Sequence, residues 1–163
     1  MADDAAAHPR MTTSPEPAAL SHGEQVILAA LRLWAGLRLS GEAPQPCVRR
    51  LMGQQVSDRA GAIFVALMEA LERQTRRPLQ IACGACAGYG EDEQRLIVAC
   101  GVARVDMRTA RALLAPLVSQ PEPVAIFARA LNMVLAHEGL ALPARLGSGH
   151  LTPCGRPAGA TLH

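Results

Sequence analysis

Cysteines are the residues of this chain whose type and spacing could do chemistry. The chain has 163 residues and five cysteines. Cys83 and Cys86 are separated by two small residues, and a turn of this kind can present both sulfur atoms to one metal ion. Cys100, on a predicted helix, and Cys47 could supply further thiolates. The sequence therefore indicates Cys83, Cys86, Cys100 and Cys47 as candidate ligands of zinc or of an iron–sulfur cluster.

The Cys-x-x-Cys turn has two other interpretations. A thioredoxin-like redox pair lies at a helix N-terminus inside a β-α-β unit, and no strand pattern surrounds this turn. The acidic run Glu91, Asp92 and Glu93 would raise the thiol pKa values by repelling the thiolate, a penalty that a bound cation would reverse. Our working prediction is that Cys83 and Cys86 are small, buried thiols packed in a tight connection.

Motifs of established enzymes are missing from the sequence. A second Cys-x-x-Cys or a paired-histidine motif, which strong zinc signatures contain, does not occur. Haem attachment is excluded, because Ala87 stands where that motif requires histidine. Nucleophile-elbow, phosphate-loop and dinucleotide motifs do not occur either. The sequence therefore leaves the question of an enzyme open and offers no catalytic residues.

The charge pattern argues against nucleic-acid binding. The formal net charge is +2, and all 16 basic residues are arginine, which with the many alanines, glycines and prolines indicates a GC-rich bacterial genome. Two arginine groups could form basic stripes, but we expect solvated faces, because the net charge is small and aromatic residues make up only 2%. These groups are Arg104, Arg108 and Arg111, and Arg73, Arg76 and Arg77.

Helices must position the cysteines, because hydrophobic residues make up 50% of the chain but few of them are aromatic or suited to sheets. Ser21 and Glu24 form a capping box before an apolar stripe of helical spacing. The pattern predicts an all-α fold, a compact bundle of five to six helices with disordered termini. The predicted helices run from Ser21 to Ser40, about Pro46 to Gln54, Ser57 or Asp58 to Arg77, from Glu91, Asp106 to about Leu117, and Pro121 to Gly139.

Three segments follow from this pattern: a disordered leader over residues 1–20, a single helical domain over 21–143 and a disordered tail over 144–163. Asp3 and Asp4 stand where a secretory signal needs positive charge, and no apolar run is long enough to span a membrane. We therefore expect a cytoplasmic protein, with no membrane contact. Its thiols would then stay reduced and would not form a disulfide framework.

The first predicted helix also indicates self-association. Leu28, Leu33 and Leu39 lie off its main stripe, so the helix is apolar nearly all round and must be buried on several sides. A second copy of the chain in a two-fold dimer would supply the extra cover. The expected function is a non-enzymatic helical protein that acts by self-association or by binding another protein. The alternative is a metal-binding or thiol-redox protein that uses Cys83 and Cys86.

One stretch resembles a known family. Arg77-Pro78-Leu79-x-Ile81, the Cys-x-x-Cys turn and the acidic helix start resemble the DUF6628 family of small bacterial proteins, over roughly Thr12 to Leu142. The resemblance implies an amphipathic first helix, a long alanine-rich helix, a cysteine-rich turn and further helices. The family has adjacent cysteines where this chain has separated ones, and it carries no assigned activity. The resemblance therefore implies a fold and no mechanism.

Overall fold

A computed structural model describes residues 20–86 and 88–145. Over those residues the chain forms six α-helices, with an isolated bridge between Thr75 and Val118 as the only β pairing. The predicted all-α fold is confirmed. The helices are α1 (His22–Leu39), α2 (Gln45–Gln55), α3 (Asp58–Gln74), α4 (Glu91–Val102), α5 (Met107–Leu114) and α6 (Pro121–His137).

Side-chain caps predicted from the sequence start three of these helices. At α1 the backbone N–H of Ser21 donates to Glu24 at 2.7 Å, and the Ser21 hydroxyl accepts from the Glu24 N–H at 3.3 Å, as the capping box predicts. Ser57 caps α3 by accepting from the N–H of Ala60 at 3.3 Å. Asp106 caps α5 by accepting from the next two backbone N–H groups of that helix. Each cap satisfies donors that the first turn leaves free.

The helices pack around one hydrophobic core. Helix α3 lies against α2 and α6, while α4 contacts α1, α5 and α6. Helices α1, α2, α3, α5 and α6 and the turn after α5 supply the largest fully buried apolar side chains, and Leu96 and Ile97 of α4 are nearly as buried. The fully buried ones are Trp34, Ile27, Leu31, Met52, Phe64, Leu71, Leu113, Leu114, Leu117, Leu131 and Leu135. No helix among the described residues is both long and apolar enough to cross a membrane.

The predicted ends and surface pairs of two helices need correction. Helix α5 ends at Leu114 rather than near Leu117, and a turn closed by Leu117 N–H on the carbonyl of Leu114 replaces its last residues. Proline at position 116 has no N–H to continue the helix. The i,i+4 spacing of Glu72 and Arg76 favours an ion pair on a continuous helix, but α3 ends at Gln74 and Arg76 donates to the carbonyl of Val118. Glu72 instead accepts from Arg38 and Trp34 of α1, because those donors reach across the α1–α3 interface.

The apolar α1 is covered mostly by its own chain. Leu28 is buried and Leu33 is half-buried, whereas Leu39, in the last turn, is 90% exposed. The inference that α1 needs a partner subunit therefore does not follow from Leu28, and only the end of the helix leaves a large apolar side chain in solvent.

The residues after α6 run back over the helices as a C-terminal strap, residues 140–145. Asn132, the only asparagine of the chain, is fully buried. It donates to the carbonyl of Gly101 at 3.1 Å, and its carbonyl oxygen accepts from Leu142 N–H at 2.8 Å. The strap lies so close to α1 and α4 that a Cβ atom at Gly23 or Gly101 would overlap its backbone.

Contacts extend slightly beyond the predicted domain of residues 21–143. Leu20 is buried, and Arg145 of the strap makes two 2.6 Å hydrogen bonds to the carboxylate of Glu24. Burial alone would raise the pKa of Glu24, but the hydrogen bonds from Arg145 and Ser21 outweigh it and hold that pKa below its ordinary value. The remainder of the predicted leader and tail lies outside the described residues.

Candidate functional site

The connection between α3 and α4 carries the Cys-x-x-Cys motif; we call residues 79–90 the cysteine loop, of which Ala87 is not described. Cys83 and Cys86 are joined by a disulfide, with their Cα atoms 5.3 Å apart. A turn in which Cys86 N–H donates to the Cys83 carbonyl at 3.1 Å brings them together. The structure thus has a bonded pair where the sequence predicts free thiols.

The disulfide lies at the exposed tip of the loop. Cys83 and Cys86 are both exposed, so the prediction of buried, packed thiols is wrong. The apolar residues that attach the loop to the core are instead Leu79, Ile81 and Tyr89, which are half-buried against it. Because these anchors lie before and after the motif, the cysteines between them project into solvent.

An ion pair between α1 and α4 holds the cysteine loop; we call it the Arg32–Glu93 clamp. The guanidinium Nε donates to Glu93 Oε1 at 2.8 Å and Nη2 donates to Oε2 at 3.2 Å. The two side chains are only 7% and 0% exposed. Removing one partner of such a buried pair leaves an uncompensated charge and costs about 3–5 kcal/mol.

The clamp is hydrogen-bonded to the loop backbone at both ends of the motif. Arg32 donates to the carbonyl of Cys86 at 3.0 Å and to that of Gly88 at 2.6 Å. Glu93 accepts from the N–H of Ala82 at 3.2 Å and from that of Gly90 at 2.7 Å. Backbone groups next to Cys83 and at Cys86 are therefore bonded to the same ion pair, which fixes both ends of the turn.

A second carboxylate of α4 anchors the start of the loop. Asp92 accepts from both terminal nitrogens of Arg77 at 2.7 Å and from the N–H of Gln80 at 2.8 Å. Burial alone would raise the pKa of Asp92, but these hydrogen bonds outweigh it and lower that pKa. The carboxylate therefore stays ionised and keeps the loop attached at neutral pH.

Arginines neutralise all three acids of the α4 N-terminus. Arg32 pairs with Glu93, Arg77 pairs with Asp92, and Arg95 pairs with Glu91 at 2.6 Å. The acidic run was expected to raise the thiol pKa values by repulsion, but each negative charge has a cation in hydrogen-bond contact. The acidic run therefore does not disfavour thiol chemistry at this turn.

The other two candidate ligands do not join the pair. Cys100 is buried on the inner face of α4, and burial raises the pKa of its thiol to about 12. Cys47 is exposed on α2. Within residues 20–86 and 88–145, no three histidine, cysteine or acidic side chains come together as a metal site. The described part of the chain thus supplies Cys83 and Cys86 alone to a shared site.

An open apolar groove of about 430 Å³ borders the cysteine loop. Its floor is the outer face of α1, and Gly84, between the two cysteines, forms its edge. The α1 residues are Ala29, Arg32, Leu33, Gly36 and Leu37. Since the arginine among them is already paired with Glu93, the groove offers an uncharged surface beside the disulfide.

Sequence reasoning missed the residues that hold the site. Arg32 stands between Leu31 and Leu33 in an otherwise apolar stretch, and a charged residue in such a helix signals a buried partner. Its partner Glu93 is 61 positions away, and nothing in the sequence pairs the two. The helix dipole accounts for the position of the three acids at the start of α4 but not for their arginine partners.

Comparisons with known proteins give no relative. No protein-family model matches the chain, and no curated protein or solved structure matches it significantly. The resemblance to the DUF6628 family remains an expectation from the sequence.

Proposed function

We propose that the protein exchanges disulfides with a dithiol of a partner polypeptide, and that Cys83 and Cys86 are its reacting residues. The observation that carries the proposal is the exposed Cys83–Cys86 pair in a turn whose neighbouring acids are all neutralised. Disulfide exchange requires a sulfur atom that a partner can reach and surroundings that do not repel a thiolate, and this turn offers both. A cytoplasmic location fits the proposal, because disulfides there are mostly transient and catalytic.

The reaction transfers two electrons and two protons. A thiolate of the partner attacks one sulfur of the Cys83–Cys86 disulfide, the S–S bond breaks, and the other cysteine leaves as a thiolate. The second thiol of the partner then attacks the mixed disulfide. The products are the reduced Cys83 and Cys86 pair and a disulfide in the partner. The partner's dithiol is therefore the reductant. The reverse sequence oxidises the partner, and the relative reduction potentials set the direction.

Trapping with glutathione disulfide tests the proposal, with the exposed Cys47 as an internal reference thiol. In the reduced wild-type protein, an adduct at the loop should resolve into the Cys83–Cys86 disulfide and release glutathione. In the Cys83→Ser and Cys86→Ser variants the remaining loop cysteine has no partner, so glutathione should stay attached. Peptide mapping by mass spectrometry separates these products from the adduct at Cys47.

Two results would contradict the proposal. One is that the wild-type loop cysteines keep a glutathione adduct, or that they stay reduced while Cys47 reacts with glutathione disulfide. The other is stoichiometric zinc or iron in protein purified without chelator, lost in both serine variants. That second result would establish the metal interpretation, with further ligands from outside the described residues.

Self-association is the second candidate function, favoured by large apolar side chains left in solvent. Leu39 of α1 is 90% exposed, and Ile126 and Met133 of α6 are 53% and 55% exposed. A two-fold dimer would cover such side chains. Light scattering at micromolar concentration should report a dimer, and a monomer at that concentration would reject this candidate.

A further inference from the structure

We infer that Arg32 and Glu93 are positioning residues that set the reduction potential of the Cys83–Cys86 pair. The inference rests on the proposed function and concerns how strongly the protein holds its disulfide. It follows from where the Arg32–Glu93 clamp contacts the loop: one ion pair binds the backbone at Ala82, before the motif, and at Cys86, its last residue.

None of these clamp contacts involves a sulfur atom. The clamp bonds to backbone N–H and carbonyl groups, which are the same whether the cysteines are bonded or reduced. Burial of both side chains shields the ion pair from water and salt, and none of its hydrogen bonds requires the disulfide. The turn is therefore held by something other than its own disulfide.

A turn held in this way keeps the reduced thiols close together. The effective concentration of one thiol at the other is then high, which favours closing of the disulfide. Without the clamp, the reduced loop would sample conformations in which the sulfurs are apart. Its disulfide would be easier to reduce, and the reduction potential would become less negative.

Equilibration with glutathione buffers, followed by thiol trapping, measures this effect. In Arg32→Met the equilibrium constant for reduction of the pair should rise about tenfold, which is about 30 mV for a two-electron couple. Arg32→Lys keeps the charge, but an ammonium cannot donate to both carbonyls and both carboxylate oxygens. We expect it to lie between Arg32→Met and wild type, with a rise of at least about threefold, or about 15 mV.

Arg38→Met is the matched control. Arg38 lies on the same helix and makes a similar two-bond pair with Glu72, at 2.9 and 2.8 Å, but its hydrogen bonds do not reach the cysteine loop. Its reduction equilibrium should stay within about twofold of wild type. A role of Arg32 in folding alone would lower stability and leave the potential of the folded protein unchanged.

The outcomes separate this inference from the proposed function. A wild-type protein without any redox transition contradicts the proposed function itself. If the wild-type protein has a redox transition, two results overturn the inference alone. One is an equilibrium constant for reduction that changes less than twofold in Arg32→Met, and the other is an equal change in Arg38→Met. Circular dichroism shows whether each variant is folded; if Arg32→Met is not, the shift in Arg32→Lys decides, and a shift below twofold there overturns the inference.

Discussion

Cys47 and Cys100 carry the same side chain in opposite surroundings, and their reactivities should differ accordingly. Cys47 is exposed on α2, whereas Cys100 is buried with its pKa raised to about 12. Because the thiolate is the reacting species, iodoacetamide at neutral pH should alkylate Cys47 in the native protein and leave Cys100 unmodified. Mass spectrometry of the digested protein measures both sites.

Denatured protein is the control for that experiment, since both cysteines should then react. Equal alkylation of Cys47 and Cys100 in the native state would contradict the buried position of Cys100. It would also reopen Cys100 as a candidate ligand or exchange partner of the Cys83–Cys86 pair.

At the residue scale, the sequence located the cysteine pair but not its environment. The Cys-x-x-Cys spacing was sufficient to identify Cys83 and Cys86, because a four-residue turn is a local structure. Their exposure depends on which neighbours reach the core, and Leu79 and Tyr89 take those places. The clamp depends on a contact across 61 positions, which composition and periodicity do not encode.

At the element scale, helix starts were more predictable than helix ends. Serine and aspartate caps, prolines and glycines act within one turn, so α1, α3, α5 and α6 begin where their sequences indicate. The C-terminal strap was not predicted, because it has no regular structure. It is bonded to Asn132, and two glycines on other helices leave room for its backbone. Such contacts depend on helix packing rather than on local propensity.

Two glycine substitutions test the position of the strap. In Gly101→Ala the new methyl group would overlap the carbonyl of Pro143, and overpacking of this kind costs about 1–3 kcal/mol of unfolding free energy. Gly36→Ala is the matched control, because no atom lies near the added methyl group and alanine stabilises a helix interior by about 0.5–1 kcal/mol. Urea denaturation should therefore give opposite signs, and a stabilised Gly101→Ala would contradict the strap.

The N-terminus of α4 should make stability depend on pH through Asp92. Its pKa is lowered in the folded protein, so its contribution is present above the ordinary aspartate pKa of about 4 and is lost as the pH falls through the lower folded value. Asp92→Asn should cost about 1.5–3 kcal/mol at pH 7, the usual range for hydrogen bonds to a charged group. The difference in unfolding free energy between this variant and wild type should shrink below about pH 4.

Urea denaturation at pH 7, 5 and 3 measures that difference. Glu91→Gln is the control: its pair with Arg95 is half exposed, so the loss should stay within about 1 kcal/mol. An Asp92→Asn difference that is the same at pH 7 and pH 3 would show that the carboxylate charge does not anchor the loop.

At the scale of the whole molecule, the disulfide is a small part of what holds the fold. It closes a ring of only four residues, and the chain-entropy model assigns such a ring about 2 kcal/mol. The loop is also bonded to the Arg32–Glu93 clamp and to Asp92, which are independent of the sulfurs. Reduction should therefore leave the helical circular dichroism unchanged and lower the unfolding free energy by no more than about 2 kcal/mol.

Denaturation with and without a phosphine reductant checks this expectation. Cys83→Ser/Cys86→Ser is the control, because reductant should have no further effect on it. Loss of helical structure on reduction of the wild-type protein would make the disulfide a structural brace, which is incompatible with a pair that cycles between two states.

If Cys83 and Cys86 form a reversible dithiol–disulfide couple, as we propose, a redox titration of the wild-type protein should show it. The wild-type protein is equilibrated over a series of glutathione ratios, its free thiols are alkylated, and the fraction of the Cys83–Cys86 disulfide is read by peptide mass spectrometry. We expect one reversible two-electron transition, approached equally from the oxidised and the reduced protein. A pair that stays fully reduced or fully oxidised across the whole range, or that changes in one direction only, would rule out reversible disulfide exchange at Cys83 and Cys86.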